Sequence, residues 1–194
     1  MNKLAIAIFA SGTGSNAVNL INYFKNHATV EVKVVMCNKS DAVVLEKAKN
    51  LGVEAVFMNN SIFEDATLLN EELQKRGIDW IILAGFLRKI PAQLIAVFQD
   101  RIINIHPSLL PKYGGKGMYG MHVHQAVVAA GEKKSGISIH LVNEEFDKGR
   151  ILAQFETALD SNDTAETVAA KIHELEQRYF PQVVEQTLNQ TINE

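Results

Sequence analysis

The chain has one cysteine, Cys37, in 194 residues. A lone thiol forms neither an internal disulfide nor a multi-thiolate metal centre, and a reducing compartment is its simplest setting. Lysine and arginine form no stripe or block, and the formal net charge is −3, so nucleic acid is not expected as the main partner. Long hydrophobic runs are missing too. Leu4 to Ala10 is too short to span a membrane. The Ser11-Gly12-Thr13-Gly14 that follows it reads as a strand-to-helix loop rather than a cleavage site. No repeat or low-complexity stretch is visible. These absences predict a soluble, cytoplasmic protein with no membrane or nucleic-acid partner, and leave its assembly open between monomer and homodimer.

An apolar share of 47% supports a full-sized core. The length suits one domain, expected over residues 1–188, with a polar, frayed tail at 189–194. Strands are predicted over 4–10, 30–36, 54–58, 80–84 and 101–106. They alternate with helices over 15–25, 41–51, 64–76 and 91–98. This order implies a doubly wound, mostly parallel sheet with right-handed crossovers and helices on both faces. Downstream, a helix over 121–130 precedes strands over 137–142 and 151–157, a hairpin-like pair that makes the sheet mixed. Asp163-Thr-Ala-Glu166 matches a carboxylate cap with glutamate three residues on. It opens a helix to about Tyr179, perturbed at Pro181.

The chemistry concentrates at residues 104–111, Asn-Ile-His-Pro-Ser-Leu-Leu-Pro. Asn104 and His106 lie two apart on a strand, so both leave the same face. Pro107 cannot extend the ladder, so the strand stops at His106. An amide that can donate to an oxyanion thus stands beside an imidazole that can move a proton, at a strand end where open α/β sheets place ligands. A carboxylate such as Asp147 would orient that imidazole. The trio suits transfer of an acyl group to an amine.

Between the first strand and first helix, Ser11-Gly12-Thr13-Gly14-Ser15-Asn16 offers open N–H groups and polar side chains to an anion. It reads equally as a capped glycine turn. As Gly12-x-Gly14-x-x-Ala17 it also fits a dinucleotide fingerprint, which keeps an NADP-dependent oxidoreductase in play. The acidic ribose partner is missing, because Cys37-Asn38-Lys39-Ser40 occupies its place, although Lys39 could pair with a 2′-phosphate. His122-x-His124 reads as a helix entry rather than a metal site. Tyr113 to Gly120 holds four glycines in eight residues and reads as a mobile flap.

Asn-x-His-Pro-Ser-Leu-Leu-Pro with a distant aspartate resembles the folate-dependent formyltransferase family, and the likeness spans nearly the whole chain. The resemblance implies 10-formyltetrahydrofolate as co-substrate, 5-phosphoribosylglycinamide as acceptor, and no metal. It implies a phosphate-binding half to about residue 100 and a folate-binding, catalytic half over 101–188. Catalysis falls to Asn104, His106 and Asp147. Acceptor binding falls to Gly14, Ser15 and Asn16 for phosphate, and to His173 and Glu176 for ribose and glycinamide. Ala84-Gly85-Phe86-Leu87-Arg88 is similar to the family's pterin segment. The resemblance therefore assigns the folate to Leu87, Arg88, Lys89, Ile90, Asn104 and the loop of Asn143, Glu144, Glu145, Phe146 and Asp147. Ser138 and His140 share a face beside this loop as possible support, with His140 also readable as a satisfied core histidine. The chain departs from the family at Lys148, where glycine is frequent, in the longer 113–120 segment, and in lacking an arginine near 64–67. Formyltetrahydrofolate hydrolases, which carry an added amino-terminal domain, are the nearer alternative. The methionyl-tRNA branch, with an added carboxyl-terminal domain, is not expected to fit this length.

Overall fold

The structure, a computed structural model, describes residues 3–192. Its centre is β1 (Leu4–Ala10), buried on both sides as its unbroken apolar run requires. Ala5, Ala7 and Phe9 face one core and Ile6, Ile8 and Ala10 the other. The remaining strands are β2 (Val30–Cys37), β3 (Glu54–Phe57), β4 (Trp80–Leu83), β5 (Ile102–His106), β6 (Lys134–Leu141) and β7 (Ile151–Ala158). They form one sheet in the order β3-β2-β1-β4-β5-β6-β7. The pairs from β3 to β5 are parallel, whereas β6 runs antiparallel to both β5 and β7. The sheet is thus doubly wound and mixed.

The helices are α1 (Ser15–Phe24), α2 (Val43–Asn50), α3 (Asn60–Glu64), α4 (Ala66–Gln74), α5 (Ala92–Val97), α6 (Met121–Ala129) and α7 (Ala165–Ile192). Residues of α1, α2, α6 and α7 pack into the core on one face, and residues of α3, α4 and α5 into the core on the other. β2 and β4 flank β1 on opposite sides. The connections leaving β1 and β4 therefore diverge and leave a crevice at their carboxyl ends. Among the described residues no helix is long and apolar enough to cross a membrane.

Three expectations need correction. The helix expected over 64–76 is α4, starting at Ala66, and a separate short helix, α3, precedes it where none was expected. Asp65 ends α3, and its Oδ1 accepts from the N–H groups of Thr67 and Leu68 to start α4. A separate cap, Asn59, starts α3 by accepting from Ile62. At the start of α7 the capping pair is Thr164 and Thr167, each hydroxyl accepting from the other's N–H. Asp163 instead holds Lys171 at 2.6 Å. Finally, α7 runs through Pro181 to Ile192, so 189–192 is helical, and residues 193–194 of the expected tail lie outside the described residues.

Proline inside a helix removes a donor and orphans the carbonyl four residues back. Here that carbonyl belongs to Gln177, and the Asn19 amide of α1 donates to it at 2.8 Å. A neighbouring helix thus supplies the bond that Pro181 cannot. The β6–β7 connection is equally tight. A Cβ on Gly149 would stand 1.7 Å from the Leu141 carbonyl oxygen, so only glycine closes this loop.

Asn19→Ala should therefore cost about 1 kcal/mol, the scale of one lost hydrogen bond. In a Pro181→Ala background the cost should shrink towards zero, because the new N–H fills the Gln177 carbonyl. A double-mutant cycle from urea midpoints checks this, and an equal cost in both backgrounds would contradict the account.

Candidate active site

The crevice is a cleft of about 700 Å³ lined by the loops after β1, β4 and β5, by the 142–147 loop, by the 115–121 segment and by α7. Its floor follows from strand register. Asn104 pairs with His140 and His106 with Ser138 across β5 and β6. Alternation along both strands turns the four side chains to one face.

His140 Nδ1 lies 2.8 Å from the Leu141 carbonyl and must donate to it, so in the neutral ring Nε2 is the acceptor. The Asn104 amide donates to that Nε2 at 3.1 Å. One amide hydrogen is so engaged, and the second remains for another acceptor. His106 donates from Nε2 to the Tyr113 carbonyl at 2.8 Å, while its Nδ1 faces Asp147 Oδ2 at 3.6 Å. The other Asp147 oxygen lies 3.7 Å from His140 Nε2. The Gly115 N–H donates to Asp147 Oδ2 at 2.8 Å. The structure therefore brings Asn104, His106 and Asp147 into one cluster and adds His140, which sequence reasoning left as support or core.

Burial pushes the His106 pKa down, outweighing the upward pull of Asp147 and the Tyr113 carbonyl. Burial pushes the Asp147 carboxyl up, but His140, the His106 charge and the Gly115 N–H together hold it below the usual carboxylate range. The pair is thus poised as a carboxylate beside a reluctant base. Below it, Ser138 is fully buried and accepts from the Leu110 N–H at 2.9 Å while donating to the Ser108 carbonyl at 2.7 Å. Ser108 donates to the Lys112 carbonyl, so it shapes the turn after β5.

Across the cleft, Gly14 begins α1 at φ 73 and offers no side-chain cap, so the first-turn N–H groups stay open. Glycine is required at this point, because a Cβ would stand 2.2 Å from Val44 Cγ2. Ser15 is exposed. The Asn16 side chain turns to α7, donating to Glu176 at 2.9 Å and accepting from Gln177 at 3.0 Å. His173 Nδ1 lies 3.6 Å from Glu176. Burial pushes the Glu176 pKa up, against the Asn16 bond and the nearby His173.

On the β4 side, Leu87 is exposed and Ile90 buried at the cleft wall. The Arg88 guanidinium turns to α3, donating to Asn60 and Glu64 and lying over the Phe63 ring. Lys89 reaches over the Phe146 ring. In the 142–147 loop, Asn143, Glu145, Phe146 and Asp147 line the cleft, whereas Glu144 does not. The left-handed backbone in this loop falls on Asp147, at φ 55, rather than on Lys148. Lys148 therefore stands where the family often has glycine without needing glycine's conformation. His122 is exposed against Tyr119, while His124 is buried in the cleft wall with an unpartnered Nδ1. At the end of β2, Asn38 accepts from the Ser11 hydroxyl at 2.7 Å, with no acid to hold a nicotinamide ribose.

Residues 4–184 match the family model described as formyl transferase. The chain is 41% identical over 190 residues to a chloroplastic phosphoribosylglycinamide formyltransferase of Vigna unguiculata, covering 95% of this chain and 61% of that one. It thus spans about three fifths of that relative's length. It is 35% identical to the phosphoribosylglycinamide formyltransferase of Bacillus subtilis, covering 94% and 93%. Among solved structures, the phosphoribosylglycinamide formyltransferase of Streptococcus pneumoniae superposes with a TM-score of 0.84 at 34% identity, covering 97% and 99%. That of Bacillus halodurans gives 0.85 at 32%, covering 95% of each chain. These similarities do not favour the nicotinamide or hydrolase alternatives.

The raised Glu176 pKa carries a sign for stability. A folded pKa above the unfolded one contributes stability below the ordinary carboxylate range and loses it as pH rises through the folded value. Glu176→Gln should therefore raise Tm at pH 8, and the gain should close by pH 4. Equal melting at pH 8 would contradict the burial of this charge.

Proposed function

The chain belongs to the formyl transferase family, and on that premise we propose that it moves a formyl group from 10-formyltetrahydrofolate to the amine of 5-phosphoribosylglycinamide, a step of purine synthesis. The observation that carries the reading is the meeting of Asn104, His106 and Asp147 in one cleft, facing the open start of α1. The donor's pterin lies between Leu87–Ile90 and the 143–147 loop, with Leu87, Ile90 and Phe146 as apolar walls and backbone groups reading the ring's edge. Lys89 and Arg88 stand on the side where the donor's carboxylates leave the cleft. The acceptor's phosphate takes the N–H groups of Ser15 and Asn16 with the Ser15 hydroxyl. Glu176 and His173 take its ribose and glycinamide.

The neutral acceptor amine attacks the formyl carbon, and the carbonyl oxygen becomes an oxyanion. Asn104 donates its remaining amide hydrogen to that oxygen, and His106, charged at that moment, adds to the stabilisation. Asp147 holds His106 and, directly or through water, passes the amine proton to the leaving nitrogen of the folate. The C–N bond to the folate then breaks, and formyl glycinamide and tetrahydrofolate leave. Holding both substrates in line supplies much of the acceleration. The chemistry requires no metal and no covalent enzyme intermediate. The protein works as a monomer or homodimer in the cytoplasm.

A spectrophotometric assay of the folate product, run with and without the glycinamide ribotide, tests the reading. Product that depends on the amine supports it, whereas formate release without amine would make the protein a hydrolase. Asn104→Ala should lower kcat by ~100-fold or more, the scale for one oxyanion donor, and unchanged turnover would remove Asn104 from that role. Ser15→Asp should weaken acceptor binding in isothermal titration and leave folate affinity nearly intact; equal loss for both ligands would contradict the phosphate assignment.

A further inference from the structure

The segment Tyr113 to Gly115 touches both members of the charged pair. The Tyr113 carbonyl accepts from His106 Nε2 at 2.8 Å, and the Gly115 N–H donates to Asp147 Oδ2 at 2.8 Å. A clip three residues long thus sets the spacing of an imidazole and a carboxylate that come from distant parts of the chain. The clip is not relaxed backbone. Tyr113 sits at φ 54, a left-handed conformation that a bulky residue keeps only when its surroundings hold it. Gly114 behind it is closely packed, since a Cβ would stand 2.5 Å from Leu110 Cδ2 and 3.3 Å from Asp147 Cβ and would push the Leu110 side chain aside.

What holds Tyr113 comes from the far end of α6. That helix closes with the Gly131 N–H on the Val128 carbonyl at 2.9 Å and the Glu132 N–H on the Val127 carbonyl at 3.3 Å. This double bond pattern is a Schellman motif, which fixes the direction of the next side chain. Glu132 Oε1 then accepts from the Tyr113 hydroxyl at 3.0 Å and from Lys112 Nζ at 2.8 Å. Ser108 donates to the Lys112 carbonyl at 2.7 Å from beneath.

We propose that Glu132 is a positioning residue for the active site. Through the Tyr113 hydroxyl it braces the 113–115 clip, so that the Tyr113 carbonyl keeps the proton of His106 on Nε2 and turns Nδ1 towards Asp147. This assignment rests on the formyl-transfer reading for its effect on turnover, though not for its effect on His106 itself. The groups facing His106 are Asp147, His140 and His124, with the Tyr113 carbonyl. Of these contacts, the carbonyl is the one that Glu132 governs through Tyr113.

The test uses the full chain without ligand. The His106 ring is followed by long-range proton–nitrogen NMR across a pH series in the wild type, Tyr113→Phe and Glu132→Ala. Tyr113→Phe removes the brace and leaves every charge in place. In both variants the neutral His106 ring should shift from Nε2–H towards a mixture with Nδ1–H, and its titration midpoint should fall, because the imidazolium loses an acceptor. In turnover assays kcat should drop roughly 3- to 10-fold, the value of about one hydrogen bond, with KM for each substrate within about 2-fold. The pH profile of kcat should move with the NMR midpoint. Glu132→Asp, which keeps the carboxylate, should recover part of the loss. Wild-type tautomer and titration in Tyr113→Phe would overturn the proposal, even if Glu132→Ala shifted, because that shift would be a field effect of the lost charge. A protein whose ring responds as stated but which transfers no formyl group would sink the functional reading and leave the brace standing.

Discussion

A carboxylate half-buried between two imidazoles is the constraint on which the rest of the site depends. Taking an ionised group out of water is costly unless partners replace the lost hydration. Asp147 meets that demand with the Gly115 N–H at 2.8 Å and with the charge of a protonated imidazole, His106 and His140 standing 3.6 and 3.7 Å from its two oxygens. Each partner needs its own support. His140 requires the Leu141 carbonyl to settle its tautomer, and His106 requires that of Tyr113. The left-handed turns at Tyr113 and Asp147 are the local strain that this arrangement sustains. Sheet topology serves the same end. Only an antiparallel β6 beside β5 sets His140 opposite Asn104 and Ser138 opposite His106.

The two halves of the cleft are built on different principles. The α1 side relies on backbone: an uncapped helix start, a glycine pressed against Val44, and an asparagine drawn away to α7. Such a surface suits an anion read by N–H groups. The β4 side relies on side chains with apolar bodies, Leu87, Ile90 and Phe146, which suit a flat heterocycle. The cluster of Asn104, His106 and Asp147 lines the cleft that both sides share.

Much of this was legible in the residues. The parity of Asn104 and His106, the stop at Pro107 and the buried run of β1 follow from period-2 geometry, which needs no partner strand. The loop at 11–16 announced itself through its glycines between strand and helix. What was hidden is what depends on pairing or on backbone. His140 gains meaning only once β6 lies against β5, and its sequence context resembles any core histidine. The Tyr113 carbonyl and Gly115 N–H belong to the main chain and have no residue signature. The short helix α3 was missed because the aspartate that ends it also begins α4. Thr164 was passed over for Asp163, whose carboxylate the structure commits to Lys171. Arg88 and Asn16 were readable as site residues by position, yet their side chains are engaged with α3 and α7.

The proline within α7 has a reach beyond its own turn. A helix that lacks one rung of its ladder is completed by an amide from α1, so the last helix draws part of its order from the first. The two ends of the chain are in this way made mutually dependent. The same contact lies one residue beyond Glu176, whose carboxylate Asn16 already grips. Loosening of the terminal helix would therefore be felt at the α1 side of the cleft before it reached the β4 side.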